Sequence, residues 1–301
     1  MARCKVSIVI PSYNSRNTLP LALEALQAQK TSVPFEIILV DSSTDGSGDL
    51  VAARFPDVKL IRSEQRLYPG AGRNRGIREA TGEILAFTDA DCIADPGWVE
   101  AIAQAQLRDL GVIGGIVDNA NPENATGWAY YFTEFNYWAP GAPEGFVNEI
   151  PTCCLSMKRS AFERWGPFKE SGYCSDSVFH WAMAADGKRP YLDPRIRVAH
   201  INPSDFPHLL GHEYEHGKFF ADARARYQGL SRWRLLLHAV TAPLLPFILF
   251  GRAFRRIRAR GCQLPFFFRS SLQTFAGMTC WSMGEFSGYL GSMVSRDLHK
   301  G

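Results

Sequence analysis

No two of the seven cysteines (4, 92, 153, 154, 174, 262 and 280) stand at CxxC spacing. Neither a disulfide framework nor a structural zinc site of cysteines is therefore expected, and reduced thiols are. Long apolar runs are missing as well. The stretch 235–250 is sixteen residues, relieved by His238 and Thr241 and broken by Pro243 and Pro246. It falls short of the roughly twenty residues that a clean spanning helix needs. At the N-terminus only a short apolar-rich run precedes Pro11, too little for the core of a signal peptide. No internal repeat is evident, which sets solenoids and propellers aside. The sharpest absence is of charge: between Asp222 and Glu285 there is no acidic residue, while ten arginines occur there.

What is present is the composition of a folded protein, 46% hydrophobic and 21% charged over 301 residues. That length suits one large domain, or a domain with an appendage. The net charge of +3 conceals an asymmetry. Residues 1–205 hold 20 Lys+Arg against 25 Asp+Glu, whereas 206–301 hold 13 against 5. An acidic body joined to a basic, apolar tail is not a uniformly basic nucleic-acid binder, and no nucleic-acid partner is expected. The tail suits an anionic surface such as lipid.

The first ninety residues alternate in hydrophobic period. Val6–Ile10, Phe35–Val40, Val58–Ile61 and Ile84–Thr88 are short apolar runs that predict buried strands. Leu19, Leu23 and Leu26, then Leu50–Phe55 and Gly72–Ala80, predict the helices between them. Such alternation implies a mostly parallel sheet with right-handed crossovers, whose ligands bind beyond the carboxyl ends of the strands. Asn14, Asp41, Asp89 and Asp91 all fall at those ends. Farther on, Trp98–Leu110 predicts an amphipathic helix and Val112–Val117 a strand. Trp128–Trp138 packs seven aromatics into eleven residues, either a core-facing helix or the wall of an acceptor or lipid cleft. A short helix opened by Ser175-Asp176 and a strand Ile196–His200 complete the body. The tail, with five arginines in Gly251–Arg260 and an apolar Leu264–Val294, suits an interfacial or re-entrant helical pair.

The chemistry concentrates at the strand ends. Asp89 and Asp91, one residue apart after a buried strand, offer hard oxygens of the kind that Mg²⁺ or Mn²⁺ takes together with substrate phosphates. Gly70-Ala71-Gly72-Arg73-Asn74-Arg75-Gly76 is GxGxxxG and follows a third strand, so it is not the dinucleotide fingerprint. Its arginines 73 and 75, with Arg78, could instead meet a nucleotide or its phosphates at a helix start.

Four segments in order resemble family 2 glycosyltransferases of the GT-A fold. They are Val6–Asn14; Val40-Asp41-Ser42-Ser43-Thr44-Asp45-Gly46-Ser47; Gly72-Arg73-Asn74-Arg75-Gly76; and Phe87-Thr88-Asp89-Ala90-Asp91. Arg159–Phe162 and Gly166–Phe168 are similar to the stretch leading to the family's acceptor site. The resemblance implies a nucleotide-diphospho-sugar donor lined by Pro11, Tyr13, Asn14, Asp41, Arg73 and Asp89. It implies a metal held by Asp91, with His200 either beside it or simply ending its strand. The catalytic base would be Asp176, although the Glu that usually precedes this Asp is here Ser175. One base without a second nucleophilic carboxylate implies direct displacement with inversion.

The expected organisation is a catalytic domain at 1–205 and a membrane-associating helical region at 206–301. The acceptor is then a glycan or lipid-linked sugar at the cytoplasmic face of the membrane, which the tail docks on or enters without a confident span. Two other readings are open: a non-catalytic sugar-nucleotide-binding protein, kept alive by Ser175, and a zinc metallopeptidase, suggested by His212-Glu213-Tyr214-Glu215-His216 with His208 one turn earlier. A structural or weak metal role for this histidine face is a further alternative, and a solvated or membrane-proximal helix is the plainer expectation for that segment.

Overall fold

The computed structural model describes residues 5–261 and 263–298; Cys4 and Cys262 lie outside them. β1 (Val6–Ser12), α1 (Leu19–Gln27), β2 (Phe35–Asp41), α2 (Ser47–Arg54), β3 (Lys59–Arg62), α3 (Pro69–Glu79) and β4 (Ile84–Phe87) alternate as the hydrophobic period predicts. The cause is burial: Ile8, Val9, Ile10, Ile38, Leu39, Leu85 and Phe87 are fully enclosed, as strands covered on both faces must be. Leu19, Leu23 and Leu26 bury one stripe of α1, and Pro20 sits in its first turn, where a missing N–H costs nothing.

The second half of the sheet is mixed. β5 (Cys92–Ala94), α4 (Trp98–Gln106), β6 (Val112–Asn119), α5 (Ala125–Glu134), β7 (Gly145–Phe146), β8 (Leu155–Lys158), α6 (Arg159–Trp165), α7 (Ser175–Ala185) and β9 (Tyr191–His200) follow. The strand order is β3-β2-β1-β4-β8-β6-β9-β5, with β7 also on β9. β1, β2, β3 and β4 run parallel, and β6 runs parallel to β9. β8 is antiparallel to β4 and β6, and β5 and β7 are antiparallel to β9. The three short antiparallel strands escaped the sequence reading because runs of two to four residues carry too little period to register. α4 stops before its predicted end, with Asp109 and Gly111 both left-handed beyond it.

Two compact units divide the chain, Met1–Ala120 with Trp138–Ile201 and Asn121–Tyr137 with Asn202–Gly301. The first holds the sheet. The second is helical: α5, α8 (Phe206–Tyr227), α9 (Arg232–Thr241), α10 (Leu245–Arg260) and α11 (Leu264–Leu298). The aromatic segment is core-facing, with Trp128, Tyr131 and Phe132 buried on α5 and Trp128 stacked on Phe266 at 4.5 Å between ring centroids. α8 and α11 touch backbone to backbone. A β-carbon on Gly217 would lie 2.1 Å from the Trp281 carbonyl oxygen, and one on Gly284 2.1 Å from that of Tyr214. Only glycine permits so close an approach.

The tail differs from expectation in two respects. Its prolines do not end the apolar helix: Pro243 sits in a 3₁₀ turn, Ala242–Leu244, and Pro246 in the first turn of α10. Arg232–Arg260 therefore runs as 29 residues containing an 18-residue window of mean hydropathy 1.6, long and apolar enough to cross a membrane by length and composition. The last apolar segment is a single helix of 35 residues, about 52 Å long.

Candidate active site

The carboxyl ends of β1, β2 and β4 converge in the sheet unit. Ser12 pairs in register with Asp41, so the loops after the two strands leave side by side. Asn14 ties them together. Its backbone N–H donates to Ser43 Oγ at 2.7 Å, and its Oδ1 accepts from the Thr44 N–H at 2.9 Å. It does so with φ at 52°, a left-handed conformation that asparagine tolerates better than most residues. Asp41 is buried and accepts from Ser43 Oγ at 2.5 Å. Its other oxygen occupies the place of a β-carbon on Gly48, 2.6 Å away, in the first turn of α2. A helix start of this kind favours a carboxylate.

Pro11 and Tyr13 border the same cleft, with Tyr13 37% exposed. The Arg66 guanidinium lies 4.3 Å from the Tyr13 ring centroid and 5.3 Å from that of Tyr68. This Tyr–Arg–Tyr arrangement offers flat, cationic surface suited to an aromatic base. Arg66 and Tyr68 were not anticipated; an arginine and a tyrosine two apart in an irregular loop carry no period to mark them.

The three arginines of α3 do not act together. Arg73 alone turns inward, where its buried guanidinium pairs with Asp89 at 2.5 Å. Arg75 donates to the carbonyl of Arg62, and Arg78 is exposed near the helix end. α3 also starts earlier than predicted, at Pro69, which leaves Arg73 in its second turn and away from the helix start. Asn74 has a separate task. Its amide receives the Phe168 N–H at 3.0 Å and donates to the Phe168 carbonyl at 2.8 Å, as a neighbouring strand would. Phe168 in turn packs on Phe87 of β4, 5.3 Å between centroids, and on Phe179 of α7, 5.1 Å.

Asp91 and His200 meet because β5 pairs with the end of β9. Cys92 stands opposite His200 in register, and His200 Nε2 lies 3.4 Å from the Asp91 carboxylate. Burial pushes the Asp91 carboxyl up from the ordinary range; His200 draws it down and Asp89 raises it again. Asp91, Cys92 and His200 bring potential ligand atoms within 4.8 Å of one another. Burial also raises the Cys92 thiol, against the hydrogen bond it shares with Cys153, and keeps it protonated. The donors are then a carboxylate oxygen and an imidazole nitrogen, a set that fits a divalent cation of the Mn²⁺ or Mg²⁺ kind.

Asp176 opens α7 and accepts weakly, at 3.4 Å, from the N–H of Thr152, next to the Cys153 that touches Cys92. A glutamate from elsewhere in the chain stands beside Asp176. Glu149, from the loop after β7, accepts from Ser177 Oγ at 3.0 Å, and its carboxyl is raised by burial and by the neighbouring Asp176 charge. Being far from Asp176 in sequence, it could not be recognised there. His180, one turn along α7, is buried beside Asp176. Burial lowers its pKa to about 4 against the opposing pull of that carboxylate, so the ring is neutral.

The family model described as glycosyl transferase family 2 matches residues 7–166, more than half of the chain. The chain belongs to this family. The glycosyltransferase AglE of Haloferax volcanii is 26% identical over 220 residues, covering 71% of this chain and 72% of AglE. Among solved structures, the mannosyltransferase PcManGT of Pyrobaculum calidifontis, in complex with GDP-Man and Mn²⁺, has a TM-score of 0.60 at 21% identity. That match covers 99% of this chain and 88% of that one. TarS 1–349 of S. aureus, in complex with UDP-GlcNAc, has a TM-score of 0.53 at 16% identity over 98% and 92% of the two chains. The fold is thus the GT-A fold, and this enzyme is a glycosyltransferase. The peptidase and non-catalytic readings give way to it.

Proposed function

We propose that this glycosyltransferase is inverting and divalent-metal-dependent, and moves a sugar from a nucleotide-diphospho-sugar to a glycan or lipid-linked acceptor. The carrying observation is the convergence in one sheet unit of Asp41, the Arg73–Asp89 pair, Asp91 beside His200, and Asp176. Asp41 and the Tyr13–Arg66–Tyr68 surface hold the base and its ribose, with Pro11 and Asn14 shaping the cleft. Arg73 holds the Asp89 carboxylate in place for the donor through their ion pair. Asp91 and His200 would hold Mg²⁺ or Mn²⁺, which supplies charge neutralisation for a diphosphate leaving group. Asp176 receives the acceptor hydroxyl proton, with Glu149 standing beside it. The solved relatives named above carry GDP-Man with Mn²⁺ in one case and UDP-GlcNAc in another, which supports the donor class without choosing between the two.

The catalytic domain is assigned to 1–205 and the membrane-associating region to 206–301. Trp233, Val240, Leu244 and Phe247 on α9, α10 and the turn between them are more than half exposed, and five arginines follow in 252–260. Apolar side chains beside cationic ones suit the headgroup boundary of an anionic bilayer, on the cytoplasmic side where nucleotide sugars are made.

The test is thermal stabilisation by a panel of nucleotide sugars with and without Mn²⁺. One nucleotide class is expected to raise the melting temperature in a Mn²⁺-dependent way, and Asp91→Ala to abolish that dependence. Stabilisation that ignores both Mn²⁺ and Asp91 would overturn the metal assignment.

A further inference from the structure

The histidine pair of α8 is not on a solvated face, contrary to the plainer sequence expectation. His212 and His216 stand one turn apart, their ring centroids 5.6 Å from each other, and both face Glu134, the last residue of α5. His216 Nδ1 donates to Glu134 Oε1 at 2.9 Å, and His212 Nε2 lies 4.0 Å from the same oxygen. The three side chains are 14–19% exposed. All three potential ligand atoms lie within 4.8 Å of one another. A tetrahedral zinc with bonds of ~2.0 Å separates its ligand atoms by ~3.3 Å. Rotamer adjustments on the order of an ångström bring the present triangle to that size.

A second observation points to a cation. Glu213, between the histidines, is completely buried, and neither of its carboxylate oxygens has a hydrogen-bond donor. It faces Glu134 and His216. That buried carboxyl meets Glu134, so two acids and two imidazoles gather in one enclosed pocket of oxygen and nitrogen donors of a kind that a dication takes.

We propose that Glu134, His212 and His216 bind one zinc-class divalent ion that fastens α5 to α8 within the helical unit. Two imidazoles and a carboxylate, with nitrogen outnumbering oxygen, are the borderline donor set zinc takes. The ion is structural. Glu213 has no solvent-accessible surface from which to activate a water for hydrolysis, so the sequence likeness to a peptidase helix does not extend to peptidase chemistry. His208 stacks on His212 at 6.4 Å and stays outside the set. Binding replaces the hydrogen bond between Tyr130 Oη and His212 Nε2, now 3.1 Å long.

The experiment uses the full chain stripped with chelator and titrated with Zn²⁺, then with Co²⁺ as a visible probe. One zinc per chain, a higher melting temperature, and the absorption of tetrahedral Co²⁺ are expected. His212→Ala/His216→Ala should weaken binding at least a hundredfold, as should the near-isosteric Glu134→Gln, while Asp91→Ala retains it. Mn²⁺-dependent nucleotide-sugar stabilisation, measured on the histidine and Glu134 variants, reports whether each still folds and stands or falls separately; for Asp91→Ala the cooperative melt itself reports folding. No retained zinc in the native chain, or zinc binding unchanged in a folded Glu134→Gln variant, would overturn the proposal.

Discussion

The sheet unit and the helical unit place their distinctive groups differently. In the sheet unit the inward-facing groups at the strand ends are charged, and each is held by a named partner: Arg73 by Asp89, Asp91 by His200, Asp41 by Ser43. In the helical unit the seam between α8 and α11 is bare backbone at glycines, and large apolar side chains remain outside. A buried charge needs a partner to persist, so its neighbours are constrained and its location marks chemistry. An exposed apolar side chain is constrained by nothing in the chain itself, so its location marks a surface to be covered. In the proposed reading, one unit is arranged around what it does to a substrate, the other around where it does it.

The largest effect that would sharpen this contrast is at Asp176. Asp176→Asn is expected to lower transfer by about 10²–10⁴-fold while donor binding, measured by Mn²⁺-dependent stabilisation, is retained. Native transfer rates in that variant would remove the base from Asp176. Next is pH. The unfolded chain protonates His180 near 6.5, whereas the folded chain resists until about 4. The contribution is therefore complete above pH 6.5 and is lost as pH falls toward 4, by roughly 3 kcal/mol. Chemical denaturation at pH 7 and pH 4.5 should show a smaller acid loss in His180→Gln than in the native chain; equal losses would place the acid sensitivity elsewhere.

A methyl group at Gly284 of α11 meets backbone, whereas one at Gly291 meets nothing within 4 Å. Gly284→Ala should cost about 2 kcal/mol, and Gly291→Ala should be neutral or stabilising by up to about 1 kcal/mol. Equal melting temperatures would show that the seam yields. The smallest effect concerns the exposed face: Trp233→Glu with Phe247→Glu should reduce co-sedimentation with anionic vesicles about tenfold and leave nucleotide-sugar stabilisation unchanged. Unaltered vesicle binding would break the division of roles.

These contrasts also explain what the sequence made legible. Val6–Ile10, Phe35–Val40 and Ile84–Thr88 were plain because a strand covered on both faces must be apolar throughout, and Asp41, Asp89 and Asp91 were plain because they end such runs. Glu149 was hidden because it meets Asp176 through the fold and not through the chain. Arg66 was hidden because a stacked guanidinium in a loop has no periodicity. Arg75 and Arg78 shared a motif with Arg73, but helical geometry turned only one of them inward. Pro243 and Pro246 suggested a broken helix, yet both occupy positions where a proline is tolerated. The His212–His216 pair could be seen, but not that Glu134 would face it or that Glu213 would be enclosed.

Phe168 has a wider consequence. Held at its backbone by Asn74, it touches both β4, which leads into Asp89 and Asp91, and α7, which begins at Asp176. In the proposed mechanism this one benzene ring braces both the element that leads to Asp91 and the helix that carries Asp176. A smaller residue there is then expected to let Asp91 and Asp176 drift relative to each other, slowing turnover more than donor binding.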